Sequence, residues 1–246
     1  TDVITAAWRL ILRDHPRQAD AIAVGLRSVV PVGGAAGAGS VSAASRLGYG
    51  SLAMAVPDDP ATAALLLMHE FAHMKLGGLL DLIRLHRDDN GTALYFAPWR
   101  MDPRPVDALL QGTYAHLAVT DFWRVHRRRC RGRQRRLAEF EFAYWRTQTG
   151  RAATTLAQCG ELTDEGEMFI GVLGDTIRRW DDERGPVDIE AGARSLVDAI
   201  VSQQLSIKAA ATMGGMPSSV TTVATCFRNE SSYNELQRLW SDVRDT

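Results

Sequence analysis

The chain has 246 residues, 46% of them hydrophobic and 23% charged, with a formal net charge of −1. That length supports a sizeable core in one domain spanning residues 1–246, and so balanced a charge gives no electrostatic footprint for nucleic acid or a membrane surface. No apolar run approaches the roughly 18 residues of a membrane span, Thr1 to Thr5 lacks the basic and apolar regions of a signal peptide, and Cys130, Cys159 and Cys226 are too few and too scattered for a disulfide framework or a Cys-rich zinc site; a reducing, cytoplasmic setting is expected.

Residues 2–14 place Val3, Ala6, Ala7, Leu10 and Ile11 at helical spacing before Pro16, and a second helix is expected over residues 19–29. The glycine-rich residues 33–40 read as a loop without the spacing of a dinucleotide-binding turn. Residues 47–56 carry their larger apolar side chains at mostly alternate positions, which predicts a strand ended by Pro57. Asp59-Pro60 is a helix start, an N-cap acid followed by proline at the first helical position. From there to His86 the chain reads as one long helix, roughly 40 Å if unbroken, with Gly77-Gly78 as the place where it bends or stops. It is apolar nearly all round, which predicts a central, buried element.

Asp88 to Gly91 marks a turn and residues 93–96 a short strand, after which Pro98, Pro103 and Pro105 enforce an extended loop. Helices are then predicted over residues 106–129, 135–156, 191–211 and 232–243, with another starting at Asp164, where Glu167 three residues on has capping-box spacing. The fold class that follows is α+β, predominantly helical, with a small sheet beside a zincin-like central helix.

That helix carries His69-Glu70-Phe71-Ala72-His73. Histidines four residues apart lie one turn apart on one face, where both imidazoles reach a single ion. Glu70 between them is suited to general-base or ligand-orienting work. Burying these three groups in so apolar a helix is costly unless a metal or hydrogen bonds satisfy them; the plain alternative is a pair of hydrogen-bonded core histidines. A third ligand is required. The long metzincin pattern fails at Leu76 and Leu79, and no glutamate occurs between His73 and Glu139 to serve as a near gluzincin ligand. Glu139 and Glu141 are distant, His86 adjoins a solvated turn, and His126 lies among arginines. His116 shares a helical face with Leu109, Thr113, Thr120 and Trp123 and is the preferred third ligand, with Asp121, Asp102 and Asp107 as alternatives.

The stretch from Ala97 to Arg124, beginning Pro98-Trp99-Arg100-Met101-Asp102-Pro103-Arg104-Pro105, is distinctive. Together with residues 69–76 it resembles the HExxH-motif proteins associated with ribosomally made, modified peptides, a family of iron(II)- and 2-oxoglutarate-dependent peptide β-hydroxylases. The resemblance is strongest over residues 69–124. It implies Fe(II) held by His69, His73 and His116, a departure from the two-His, one-carboxylate facial triad that keeps an Asp open as third ligand. It also implies a cation for the distal carboxylate of 2-oxoglutarate, for which Arg100, Arg104 and Lys75 are the candidates. A precursor peptide would be the substrate. In an oxygenase Glu70 would orient a ligand or anchor water; in a zinc metallopeptidase, the competing reading, it would be the general base. The eight arginines between Arg124 and Arg136 read as a solvated helix end, or as a seat for an acidic peptide.

Overall fold

In the computed structural model, residues 2–33, 42–44, 48–87 and 93–212 are described. The expectations for the glycine-rich loop beyond Gly33, the turn from Asp88, Cys226 and the helix at residues 232–243 lie outside them.

Helices α1 (Asp2–Asp14) and α2 (Pro16–Gly25) meet at His15. The helix expected to reach Val29 stops at Gly25 instead, and Val29 lies in strand β1 (Ser28–Pro31). The stop is built by packing: a Cβ at Gly25 would stand 2.8 Å from the Phe71 ring, so only glycine lets α2 approach the central helix there. The β-branched pair Val29-Val30 then suits a pleated edge better than another helical turn. Strand β2 (Ser42–Ala44), unforeseen from the sequence, and β3 (Ser51–Met54) complete a sheet of order β1-β3-β2. Strand β1 runs parallel and β2 antiparallel to β3, with Leu52 opposite both Val29 and Ala44. The strand predicted over residues 47–56 is therefore shorter, and Leu47 lies outside the described residues.

Helix α3 (Pro60–Leu80) is capped as expected, the Asp59 carboxylate accepting from the Thr62 amide at 2.8 Å. It runs through Gly77 and Gly78 unbroken but ends at Leu80, short of His86. Leu82 and Ile83 beyond it are exposed, so continuing the helix would bury nothing. No strand forms over residues 93–96; a single antiparallel bridge joins Tyr95 to Arg104 and closes the proline loop at its base. Helix α4 (Val106–His126) ends three residues before the predicted limit, α5 (Gly132–Gln158) starts earlier than expected, and α6 (Asp164–Arg179) is capped by the Thr163 hydroxyl accepting from the Gly166 amide, not by Asp164. A 3-10 turn (Trp180–Glu183) leads to α7 (Val187–Thr212).

The architecture is predominantly helical α+β, as the periodicity predicts. Helix α3 packs on α1, α4 and strand β2, while α5 packs on α4, α6 and α7. One apolar cluster joins α1, α2, the sheet and α3; a second joins α4, α5 and α6 through Leu110, Phe142 and Leu156; a third joins α5 to α7. Among the described residues no helix is long and apolar enough to cross a membrane.

Candidate metal centre

Helix α3 presents His69 and His73 one turn apart, and their ring centroids lie 4.8 Å from each other. Helix α4 crosses this face and brings His116 to 5.0 Å from His69, centroid to centroid. The structure thus brings together the three histidines that the sequence singles out. His69 and His116 are buried. Imidazoles bound to one ion through ring nitrogens at about 2.1 Å have centroids about 3.2 Å from it, so neighbouring ligands stand about 4.5–5.2 Å apart. The two observed spacings fall in that interval. Among the described residues, however, no group of three or more His, Cys, Asp or Glu side chains stands in ready-made ion-holding geometry.

The protonation of the cluster follows from its surroundings. His116 Nδ1 lies 2.8 Å from the Gly112 carbonyl oxygen, which can only accept, so Nδ1 carries the proton and Nε2 keeps its lone pair. His73 Nδ1 faces Gln111 Oε1 at 3.4 Å, a weaker contact of the same sense. Burial pushes the His116 pKa down to about 3, helped by His73, against the opposing pull of the Gly112 carbonyl. Burial, then His116 and His73, hold His69 well below the ordinary histidine range. His69 and His116 held neutral by burial, with the His116 proton fixed on Nδ1 and His73 one turn from His69, make a donor set of the kind a divalent transition metal takes, so these residues fit such an ion.

His116 is clasped between two indoles. Trp99 of the proline loop stacks on it at 4.1 Å and 24°, and Trp145 of α5 covers it at 4.7 Å and 30°. Gly112 makes room for the first, since a Cβ there would stand 2.9 Å from Trp99 Cζ2. Trp145 is itself fixed by its indole N–H donating to Glu141 at 2.9 Å. Burial pushes the Glu141 carboxyl up to about 7, against that hydrogen bond. The loop is tied down from α7, where Gln204 Nε2 donates to the Ala97 and Arg100 carbonyls at 2.9 and 2.7 Å.

Glu70 turns toward the sheet. Its carboxylate accepts from the Ser42 hydroxyl at 2.7 Å and from the backbone of Ala44, both on β2. Burial raises its pKa, and the Ser42 bond, His73 and the Ala44 amide oppose that rise.

The other candidates stand apart. Arg100 grips Asp102 through two parallel bonds of 2.9 Å, and Arg104 reaches the same carboxylate at 3.3 Å. Lys75, two residues past His73 and so roughly 200° round the helix, lies over Phe71 and Tyr114 and donates to Gln18 at 3.2 Å. Asp121 is paired with Arg124 at 2.8 Å, Asp107 is exposed in the first turn of α4, His86 bridges Leu162, and His126 stacks on Phe122. Glu139 pairs with the buried Arg127. Sequence reasoning missed Ser42, Gln111 and Trp145. Ser42 sits in a segment with no motif of its own, and Gln111 lies in the distinctive stretch of residues 97–124, five residues before His116, without a spacing that marks it; Trp145 could have been found from its lying one turn from Glu141 on an otherwise apolar face. No protein-family model matches the chain, and no curated protein matches it either.

Proposed function

We propose that the chain is an Fe(II)- and 2-oxoglutarate-dependent oxygenase that β-hydroxylates a residue of a ribosomally made precursor peptide in the cytoplasm. The observation that carries this reading is the meeting of His73 with the buried His69 and His116, whose imidazoles burial keeps neutral. When bound, ferrous iron would supply activation of dioxygen, one oxygen atom going to the peptide C–H bond and the other to succinate as 2-oxoglutarate loses CO2.

The chain's own residues supply position and exclusion of water. His69, His73 and His116 hold the ion, and Trp99 and Trp145 keep the His116 ring in its plane. Glu70 is engaged by two donors on β2 and acts by holding the site's shape, because no general base is required for hydrogen abstraction. Arg100 adjoins Trp99 in the chain and has the fork geometry that a carboxylate takes; it would exchange Asp102 for the distal carboxylate of the co-substrate.

One observation favours the zinc metallopeptidase reading: burial raises the Glu70 pKa, which suits a general base. Anaerobic reconstitution with Fe(II), followed by 2-oxoglutarate, air and a precursor peptide, separates the two. Succinate and a product heavier by about 16 Da are expected. Cleavage with Zn, no succinate, and loss of that cleavage in Glu70→Gln would overturn the oxygenase reading. His116→Ala is expected to lower metal occupancy sharply by elemental analysis; full retention would transfer the third position to a carboxylate.

A further inference from the structure

Part of the arginine run after α4 is paired within the fold. Arg127 pairs with Glu139 and Glu183, Arg129 with Asp14, and Arg136 with Asp188. Further along, α5, α6 and α7 enclose a cleft of about 710 Å³ that adjoins a second of about 540 Å³ beside the start of α5, with Arg184 lining both. Nine arginines and five carboxylates line the two together, on a chain whose formal net charge is −1. Two of the carboxylates are committed inward, Glu190 buried against Arg146 at 2.6 Å and Glu139 against Arg127, and Glu183 is shared by Arg127 and Arg128. The rim is looser. Arg151 and Arg178 pair only with the exposed Asp198 and Asp175, and such surface pairs exchange readily for another carboxylate. Arg194 is exposed and has no acidic partner among the described residues. Arg184 lies close enough to Arg146 to oppose its charge. The floor is apolar and buried, formed by Ala153, Ile170 and Ile177, and Gly171 leaves open space above it.

We propose that this double cleft is a docking groove for an extended acidic peptide segment, separate from the metal centre. Its combined volume exceeds what one small anion fills, and its excess positive charge selects carboxylates. The lining contains no aromatic side chain, so it offers none of the base-stacking platforms that single-stranded nucleic acid uses. The proposal rests on the peptide-substrate reading only in making the precursor its natural occupant; the groove itself is testable without turnover.

The test is fluorescence anisotropy of labelled oligoglutamate with the full chain, beside oligolysine and oligothymidylate of matched length. Oligoglutamate is expected to bind, with affinity falling as salt rises. Arg151→Glu combined with Arg194→Glu should weaken it by about tenfold or more, and Arg194→Gln alone by about threefold while leaving every ion pair intact; circular dichroism checks that both variants are folded. His116→Ala should leave oligoglutamate binding as it was, which separates a failure of the groove from a failure of the metal reading. Unchanged binding in the folded double variant, tighter binding of oligothymidylate, or loss of binding in His116→Ala would each overturn the proposal.

Discussion

A methyl group at position 112 would stand 2.9 Å from Trp99 Cζ2, inside van der Waals contact, and Trp99 is also the ring stacked on His116. Gly112→Ala therefore pushes on the candidate metal centre through one intermediate. The expected outcome is a fold that survives, because glycine to alanine favours the helix, with metal affinity reduced by about tenfold; equilibrium dialysis against a divalent metal measures it. The same scale holds for Glu141. Its folded pKa of about 7 lies above the ordinary 4.5, so the stability it contributes is fully present below pH 4.5 and is lost as pH rises through 7. Glu141→Gln keeps an acceptor for the Trp145 indole and removes the buried charge. The variant is expected to be more stable than the parent at pH 8 by about 1 kcal/mol, discounted for the residue's partial exposure, and to match it at pH 4.5; thermal melts at the two pH values show the difference.

Between elements, the joint of α6 with the segment after α3 holds the closest backbone approach of any described glycine. A Cβ at Gly166 would fall 1.8 Å from the Leu85 carbonyl oxygen, a backbone atom that cannot rotate away. The Thr163 side chain fixes the same joint, capping α6 while donating to the Arg84 carbonyl at 2.7 Å. Gly166→Ala should cost about 3 kcal/mol or more, seen as a lowered urea midpoint. This joint also explains what the sequence could and could not tell. The Thr163-Asp164-Glu165-Gly166-Glu167 stretch announces a helix start, but two residues can serve as its cap, and the partner across the joint decides for Thr163. Helix α3 was legible because its cap, its apolar run and its histidine pair all agree. Strands β1 and β2 were not, since each is three or four residues long and has meaning only once paired with β3. The histidine trio was legible by elimination. Its indole clasp was not, because Trp99 and Trp145 come from segments 46 residues apart that only packing brings to one ring.

For the whole molecule, the buried titratable groups set an acid limit. His69, His116 and His126 all have folded pKa values below 6.5, each mainly through burial. A depressed pKa means the unfolded chain takes up the proton first, so the stability is present above pH 6.5 and is lost as pH falls toward the folded value, at about 1.4 kcal/mol per pH unit for each histidine. Glu70 and Glu141 act in the opposite sense as pH falls toward 4.5, since burial raises both. The metal-free chain is thus expected to lose stability gradually from pH 6.5 and most steeply below pH 4.5, where the glutamates no longer compensate. Urea midpoints across pH 7 to 3.5 test this, and a single steep loss centred near pH 6.5 would contradict it.

The bonds from Gln204 to the Ala97 and Arg100 carbonyls bear on when the centre can form. Arg100 and Gln204 are 104 positions apart, and the fastener is the later of the two. A nascent chain has all three histidines long before α7 emerges from the ribosome, yet the loop that bears Trp99 stays unfastened until it does. In the proposed reading the finished coordination waits until α7 has been made, and a chain cut short within α7 would keep His69, His73 and His116 while lacking the latch.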